Sequence, residues 1–502
     1  NTLAFATNSG SRVTIDSNGK ATFSVDGVFN SVSIGKGANS VSTNTVVGET
    51  ALDAITSGSA NTAFGFSSLS ALTAGTENTA IGQRSLLSLV TGHRNTGVGG
   101  GTLQNTTGND NTAVGRDALI QNTSGAANTA VGKDALNDNT TGTENAAFGA
   151  IALDANTTGN NNTACGRSAL GSNTTASNNV AVGYNSLLLN TTGAGNVAVG
   201  YIALDSNTTA SANTAIGQHA LTDNTTGASN TAVGSGALGD NTTADNNVAV
   251  GVNALRVNTT GTANTALGAY ALDANTTAND NTAVGSSALG ANTSGASNTA
   301  MGGGALLDNT SGSQNTALGH RALFDNTTAD GNTAVGFEAL KLNTTGHSNV
   351  AVGAYALDAC TIGHSNTAVG YLSLSADVDG IRNVAVGFHA GQSQNDADDN
   401  VWVGYQCGLT NTTGTGNTGI GKDALRANTT AGLNTAVGSD ALTLNTTGQQ
   451  NTVVGALAMD ANTTASNCTA VGMSALGQNT TGAANTAFGH NSMAINTTGT
   501  QN

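Results

Sequence analysis

The chain has 502 residues, of which 9% are charged and 3% aromatic, with 68 Gly and no Pro. Ordinary globular proteins are about 25% charged and about 5% Pro, so the length does not imply the usual set of three or four compact domains. Disordered chains are rich in charge and Pro and collagen requires Pro, so both are excluded. The net charge is −16, from 14 Lys+Arg against 30 Asp+Glu. That balance offers no basic face to nucleic acid and disfavours anionic membranes. No stretch approaches 18 consecutive apolar residues, so no membrane insertion is expected. The chain starts at Asn1 rather than Met and lacks a signal-peptide pattern. A processed or partial chain, or an export signal outside this sequence, is the expectation, as is continuation past Asn502, where no capping segment stands.

Residues 1–43 open the chain. Val13-Thr14-Ile15-Asp16 and Ala21-Thr22-Phe23-Ser24-Val25 alternate in polarity around Asn18-Gly19, a strong hairpin signal. Ser31-Val32-Ser33-Ile34-Gly35 reads as a shortened opening of the repeat that follows. The segment is predicted to be a hairpin that caps or leads into that repeat.

From Asn44 a 17-residue unit fills the chain. Units begin at Asn44, Asn61, Asn78, Asn95 and Asn111, and from Asn128 the register runs unbroken to Asn502; the 95-to-111 step is 16. Counting Asn128 as position 1, the unit reads N-T-A-V-G-x-x-A-L-x-x-N-T-T-G-x-x. Recurrence within one chain gives each column a physical meaning. Position 5 is Gly from Gly48 to Gly489, which predicts a corner with φ > 0 or a close backbone approach. Position 4 is apolar but variable (Val131, Phe148, Cys165, Ile216, Leu267, Met301), which reads as a buried stack. Position 9 is nearly always Leu. Positions 1 and 12 are nearly all Asn, whose amides can form ladders up a column.

Thr-Ala-Val is predicted as a short strand and Asn-Thr-Thr-Gly as a closing turn or third strand. The middle x-x-A-L-x-x fits either a second strand or one helical turn. One unit is too short to fold alone, so neighbours must stack. At about 4.8 Å per coil, 27 complete units predict a rod of roughly 130 Å. Each unit offers two sizeable apolar side chains against 17 residues to order, so packing against sister chains is expected. The predicted fold is an all-β, parallel β-solenoid (β-helix) fibre of 17-residue coils, homotrimeric, with a monomeric solenoid as the alternative. Its expected divisions are 1–43 (lead-in), 44–370 (regular), 371–410 (irregular) and 411–502 (regular).

In residues 371–410 Gly391 and Gly408 replace Leu at position 9. Position 12 becomes Asp377 and then Gln394, and the single Trp, Trp402, lies here. A drifted structural coil is expected, with a ligand patch as the rival. Asp377, Asp379, Asp396 and Asp398 form, with Asp399, an acidic group. Asp379 and Asp396 share position 14, so stacked like charges must be solvated or bridged by Ca²⁺. His347 and His364 share position 16, so stacking brings them within about 5 Å; a metal ion or two surface loop residues are the two readings. Cys165, Cys360, Cys407 and Cys468 fall in four different columns, and Cys360 and Cys407 are nearly three coils apart, beyond the roughly 7 Å limit for a disulfide. They are read as isolated core substitutions. Asn-Thr-Thr matches the glycosylation sequon, but an inward Asn has no room for a glycan. No nucleophile elbow, H-E-x-x-H, phosphate loop or Cys-x-x-Cys is present, so no catalytic residues are assigned.

The unit N-T-A-[VLIF]-G-x-x-A-L-x-x-N-T-T-G resembles the repeats of bacteriophage tail-fibre proteins. The lead-in resembles the same proteins, through Leu3-Ala4-Phe5-Ala6-Thr7-Asn8 and Arg12-Val13-Thr14-Ile15-Asp16-Ser17-Asn18-Gly19. Ser31-Val32-Ser33-Ile34-Gly35-Lys36-Gly37-Ala38-Asn39-Ser40 is more weakly similar to the heads of trimeric autotransporter adhesins. The resemblance implies an elongated, trimeric, extracellular fibre that spaces or presents a tip for a host receptor or glycan. Many such tail fibres end in a self-cleaving chaperone domain, absent from this sequence. A cell-surface adhesin stalk is the alternative. A further rival is ice binding, since Thr129, Thr163 and Thr214 share one column and Thr140, Thr157 and Thr174 another. Against it, Thr favours strands generally, and Val180, Val197 and Val248 interrupt the first column.

Overall fold

The computed structural model describes residues 32–502, and before them the backbone of residues 3–7, 10–15, 21–23 and 27–29. It is a nearly all-β parallel solenoid of about 26 coils of ~17 residues. The chain divides into two compact units, residues 1–244 and 245–502, and the same coil builds each.

The lead-in is antiparallel. Strand β1 (Leu3–Thr7) pairs with β2 (Gly10–Ile15), and β2 pairs with β3 (Ala21–Phe23) through Val13↔Phe23 and Ile15↔Ala21. The predicted β2–β3 pairing is therefore present, while the Asn18-Gly19 turn lies outside the described residues. Strand β4 (Gly27–Phe29) pairs with β5 (Val32–Gly35), which runs antiparallel to β6 (Thr45–Gly48). The segment read as a shortened repeat opening is thus not another coil. It occupies the outer edge of the first coil's strand, where an unpaired edge would otherwise be exposed.

From β6 onward each coil contributes one short strand over positions 2–4. In the first unit these run to Thr231–Val233, and in the second from Val248–Val250 to Thr486–Phe488. Pairing is parallel and like with like, as in Thr112↔Thr129, Ala113↔Ala130 and Val114↔Val131. Backbone bonds alternate direction along the coil: Thr129 N–H donates to Asn145 O of the following coil at 2.8 Å, and Gly132 N–H to Val114 O of the preceding coil at 2.7 Å.

The corner glycines behave as their column predicts. From Gly65 to Gly472 their φ lies between +126° and +143°, a region costly to any side chain. A Cβ on Gly132 would also meet the carbonyl of Gly149, one coil on, inside van der Waals contact.

The middle segment is neither strand nor helical turn. Position 7 (Asp134, φ 57°) and position 9 (Leu136, φ 50°) are both left-handed, so the backbone changes hand around Ala135 and no regular element can propagate. Two tight turns result: Ala135 N–H donates to Gly132 O at 3.4 Å and Asn139 N–H to Leu136 O at 3.3 Å. A left-handed Leu costs about 1–2 kcal/mol, which its burial, worth about 1.5–3 kcal/mol, offsets; the Leu column is fully buried. Position 17 is left-handed too and offers no such return, because it faces solvent. Gly195, Gly331 and Gly416 already stand in that column at φ +67°, +68° and +66°, whereas the exposed Ala263 has φ 56°. Ala263→Gly is therefore expected to stabilise the second unit by about 0.5–1 kcal/mol, strain relief outweighing the added freedom of the unfolded chain. A higher urea midpoint would register this.

The interior is filled by Ala at positions 3 and 8, Leu at 9 and Asn at 1 and 12, all buried. Both Asn columns form amide ladders. At position 1, Asn128 Nδ2 donates to Gly142 O at 2.8 Å in its own coil and to Asn111 Oδ1 at 3.2 Å, and Asn128 N–H donates to the same Oδ1 at 3.0 Å. At position 12, Asn139 Nδ2 donates to Asn122 Oδ1 at 2.7 Å and also to Gly142 O at 3.1 Å. Both lone pairs of the Gly142 carbonyl are thereby used. Because Asn139 is sealed in this ladder, its Asn-Thr-Thr sequon cannot carry a glycan in the folded chain.

The buried stack assigned to position 4 is not observed. Val131 is half-buried, and Phe148, Cys165, Ile216, Leu267 and Met301 are exposed. The strand alternates, and the inward residue is position 3. Ala is the usual occupant there and faces position 8; between the position-8 hydroxyls of Ser85 and Thr102 it shrinks to Gly97, since a Cβ on Gly97 would touch Ser85 Oγ and Thr102 Oγ1. Small size at position 3 was the inward signal; the Val-to-Phe variability of position 4 marks a column that need not fit a confined space.

The 16-residue coil loses its residue from the outer turn. Thr107 and Gly108 both donate to Thr123 O, which places the gap at position 14 and carries Thr106, not Asn105, into the buried column 12. Asn122 Nδ2 donates to Thr106 Oγ1 at 2.9 Å.

Candidate functional surface and the irregular coils

Residues 371–410 keep the coil. Val384–Val386 pairs in register with Val401–Val403, placing Trp402 opposite Ala385. Trp402 stands at the inward position 3 and is completely buried. Its indole occupies the space of two absent leucines: a Cβ on Gly391 would meet Trp402 Cδ1, and one on Gly408 would meet Trp402 Cδ2. Its Nε1 donates to Gln394 Oε1 at 2.8 Å, and the longer Gln at position 12 is what reaches it. One inserted ring thus accounts for both glycines and the Gln, and the departures in sequence are one compensated repacking.

The position-12 ladder is rewired one coil earlier. Cys360 cannot supply an amide, so the buried Asn343 Oδ1 has no partner among the described residues. Cys360 Sγ lies 3.6 Å from Gly363 O. Asp377 follows and needs no donor toward a cysteine. Its Oδ1 accepts from Gly380 N–H at 3.2 Å, and its Oδ2 accepts from Asn383 Nδ2 and Gln394 Nε2, each at 3.3 Å. Burial nevertheless dominates, pushing the Asp377 carboxyl up to about 7.

A folded value above the ordinary 3.8 means that Asp377 favours folding while protonated. That contribution is full below about pH 4 and is lost as pH rises through about 7. Asp377→Asn is therefore expected to match the wild type near pH 4 and to exceed it increasingly in urea midpoint up to pH 8. Equal midpoints at pH 8 would contradict this.

The other predicted site residues are spread along the surface. Asp398 Oδ1 accepts from Ile381 N–H at 2.9 Å, and Asp399 holds Arg382 through contacts of 2.6 and 2.9 Å. Asp396 is exposed, and Asp379 lies at the same turn one coil earlier. Asp377 alone points into the core. Among the described residues no group of three His, Cys, Asp or Glu side chains is placed to hold a metal ion, so the four carboxylates do not converge. His347 and His364 do meet: their rings stack at 4.7 Å and 6°, with each Nδ1 beside the Ser that follows, Ser348 at 3.3 Å and Ser365 at 3.2 Å. The four cysteines are free. Cys360, Cys407 and Cys468 are core substitutions, as read. Cys165 is not, because its column faces outward.

Two surface features escaped the sequence reading. The first is the outward strand face. Positions 2 and 4 together hold only Thr, Val, Ala, Ile, Leu, Met, Phe and Cys from Thr45 to Phe488, and much of position 4 is open to solvent, including Phe64 at 55% and Leu267 at 48%. The second is an aromatic ladder just past the corner glycines. Tyr184 stacks on Tyr201 at 5.5 Å in the first unit. In the second, Phe388 stacks on Tyr371 at 5.6 Å and on Tyr405 at 5.4 Å. The 17-residue spacing of these rings was the available signal. Their faces are spent on one another, which leaves mainly edges for a ligand.

The column-13 threonines are also engaged: Thr140 Oγ1 donates to Thr157 O at 2.9 Å, as Thr157 Oγ1 does to Thr174 O at 3.0 Å. That array therefore spends its hydroxyl protons on the protein's own backbone. Compared with protein-family models, curated proteins and solved structures, the chain matches none.

Proposed function

We propose that this chain is a non-enzymatic structural shaft of an extracellular fibre of the bacteriophage tail-fibre kind. Three copies associate, and the shaft spaces or presents an end that binds a host-cell receptor or glycan. The observation that carries the reading is the interchangeability of the coils. Every inward column is devoted to stacking (Ala at 3 and 8, Leu at 9, Asn at 1 and 12), so whole repeats can be added or removed without disturbing any one of them. Such a design sets a distance. The internal account of Trp402, Gly391 and Gly408 favours a structural role for residues 371–410 over a ligand patch, which leaves receptor recognition to the fibre's end. The resemblance of the repeat to tail-fibre repeats supports the phage assignment over a cell-surface stalk.

Immunogold labelling with antibodies raised against the chain tests this. Decoration of fibres on virions is the expected result. Label confined to a cell surface would move the chain to the adhesin-stalk class, and label inside cells would overturn both.

A further inference from the structure

We propose that the outward strand face, built by positions 2 and 4, is the seam through which copies of this chain associate. The inference deepens the shaft reading by giving its trimer an interface, but it stands on separate observations.

The first is charge. The chain carries −16, yet between Thr45 and Phe488 no charged residue occurs at position 2 or 4. The acids stand elsewhere around the coil, as at position 7 (Asp117, Asp134), position 10 (Asp154, Asp205) and position 17 (Asp110, Glu144). Two like-charged copies can approach closely only through a face free of charge, whereas an oppositely charged partner would find nothing there to pair with.

The second is extent. Ile81 and Ile216 are each 40% exposed in the first unit, as are Met301 at 46% and Ile420 at 40% in the second. Exposed apolar side chains of position 4 recur through each unit, from Phe64 to Ile216 in the first and from Leu267 to Phe488 in the second, an outward apolar column of the kind that marks an association surface.

The third is shape. Position 4 ranges from Cys165 to Phe148 in neighbouring coils, and position 2 from Thr163 to Val180. An ice lattice would need one repeated size and polarity. A second copy of the chain accommodates knobs and hollows by interdigitation.

The test uses the whole chain. Sedimentation equilibrium of the wild type is expected to give three times the chain mass of 48.9 kDa. Val182→Lys, Ile216→Lys, Leu267→Lys and Met301→Lys, combined, are expected to reduce it to the chain mass with an unchanged circular-dichroism spectrum. Leu189→Lys with Leu444→Lys, equally exposed but at position 11, should keep the wild-type mass. Cys165 gives a readout without substitution. It lies on the proposed seam, while Cys360, Cys407 and Cys468 are buried, so in the assembled wild type its alkylation by iodoacetamide should be slow and should accelerate on dilution. A monomeric wild type, a position-4 variant that keeps the wild-type mass, or immediate alkylation of Cys165 would each overturn the seam. Thermal hysteresis from a monomer would assign the face to ice instead. A position-4 variant that keeps the wild-type mass overturns the seam alone, a monomeric wild type also removes the association of three copies from the shaft reading, and the labelling experiment judges the fibre assignment independently of both.

Discussion

Replacing Gly183 by Val is expected to split the unfolding of the first unit and to lower its stability by roughly 3–5 kcal/mol, at the upper end of single-substitution effects. Two costs combine. Gly183 has φ +136°, where a β-branched residue is strained by about 1–3 kcal/mol. Its new Cβ would also overlap the carbonyl of Gly200 in the next coil, and the backbone cannot yield without breaking the bond from Gly183 N–H to Cys165 O, 2.8 Å long, and that from Gly200 N–H to Val182 O, also 2.8 Å. Since each coil touches only its neighbours, the damage should stay local. Amide exchange is expected to speed up around Val182–Tyr201 while distant coils keep their protection. A single unshifted melting transition would refute the corner geometry.

Trp402→Ala is expected to cost about 3–5 kcal/mol, in the range of large-to-small core substitutions. The ring fills space left by two missing leucines, so the cavity would extend over two coils, and Gln394 Oε1 would lose its indole donor. The informative variant is the rescue. Trp402→Ala with Gly391→Leu and Gly408→Leu rebuilds the ordinary core at all three positions. The two glycines already have φ +59° and +63°, close to the +46° to +57° of Leu and Met in that column, so little backbone movement is needed. Most of the lost stability should return in urea titrations. Failure of the rescue, with the single substitution still damaging, would mean that Trp402 does more than fill the leucine space.

Much of the coil was legible because repetition converts sequence into geometry. An invariant Gly at position 5 announced the corner with positive φ, Asn at position 12 announced the amide ladder, and His347 with His364 announced their own stacking. These readings need only the knowledge that residue i lies beside residue i+17. The candidate metal residues were not legible in the same way. Shared columns gave their neighbours but not whether each side chain turns inward, as Asp377 does, or outward, as Asp396 does.

What the amino-acid sequence determined alone was the period, the corner and the columns, because these depend on one residue's own conformational limits and on like stacking upon like. What only the tertiary structure decided was the inside and the outside. The hydrophobicity of position 4 pointed to the core, yet the alternation of the strand gives the interior to position 3, mostly Ala facing position 8, and leaves the larger side chains of position 4 outside. The middle segment was decided in the same way, since left-handed Leu136 is unfavourable in isolation and becomes acceptable only when neighbouring coils bury its side chain and bond its N–H. The Trp402 repacking is likewise visible only where three residues spread over 17 positions share one volume.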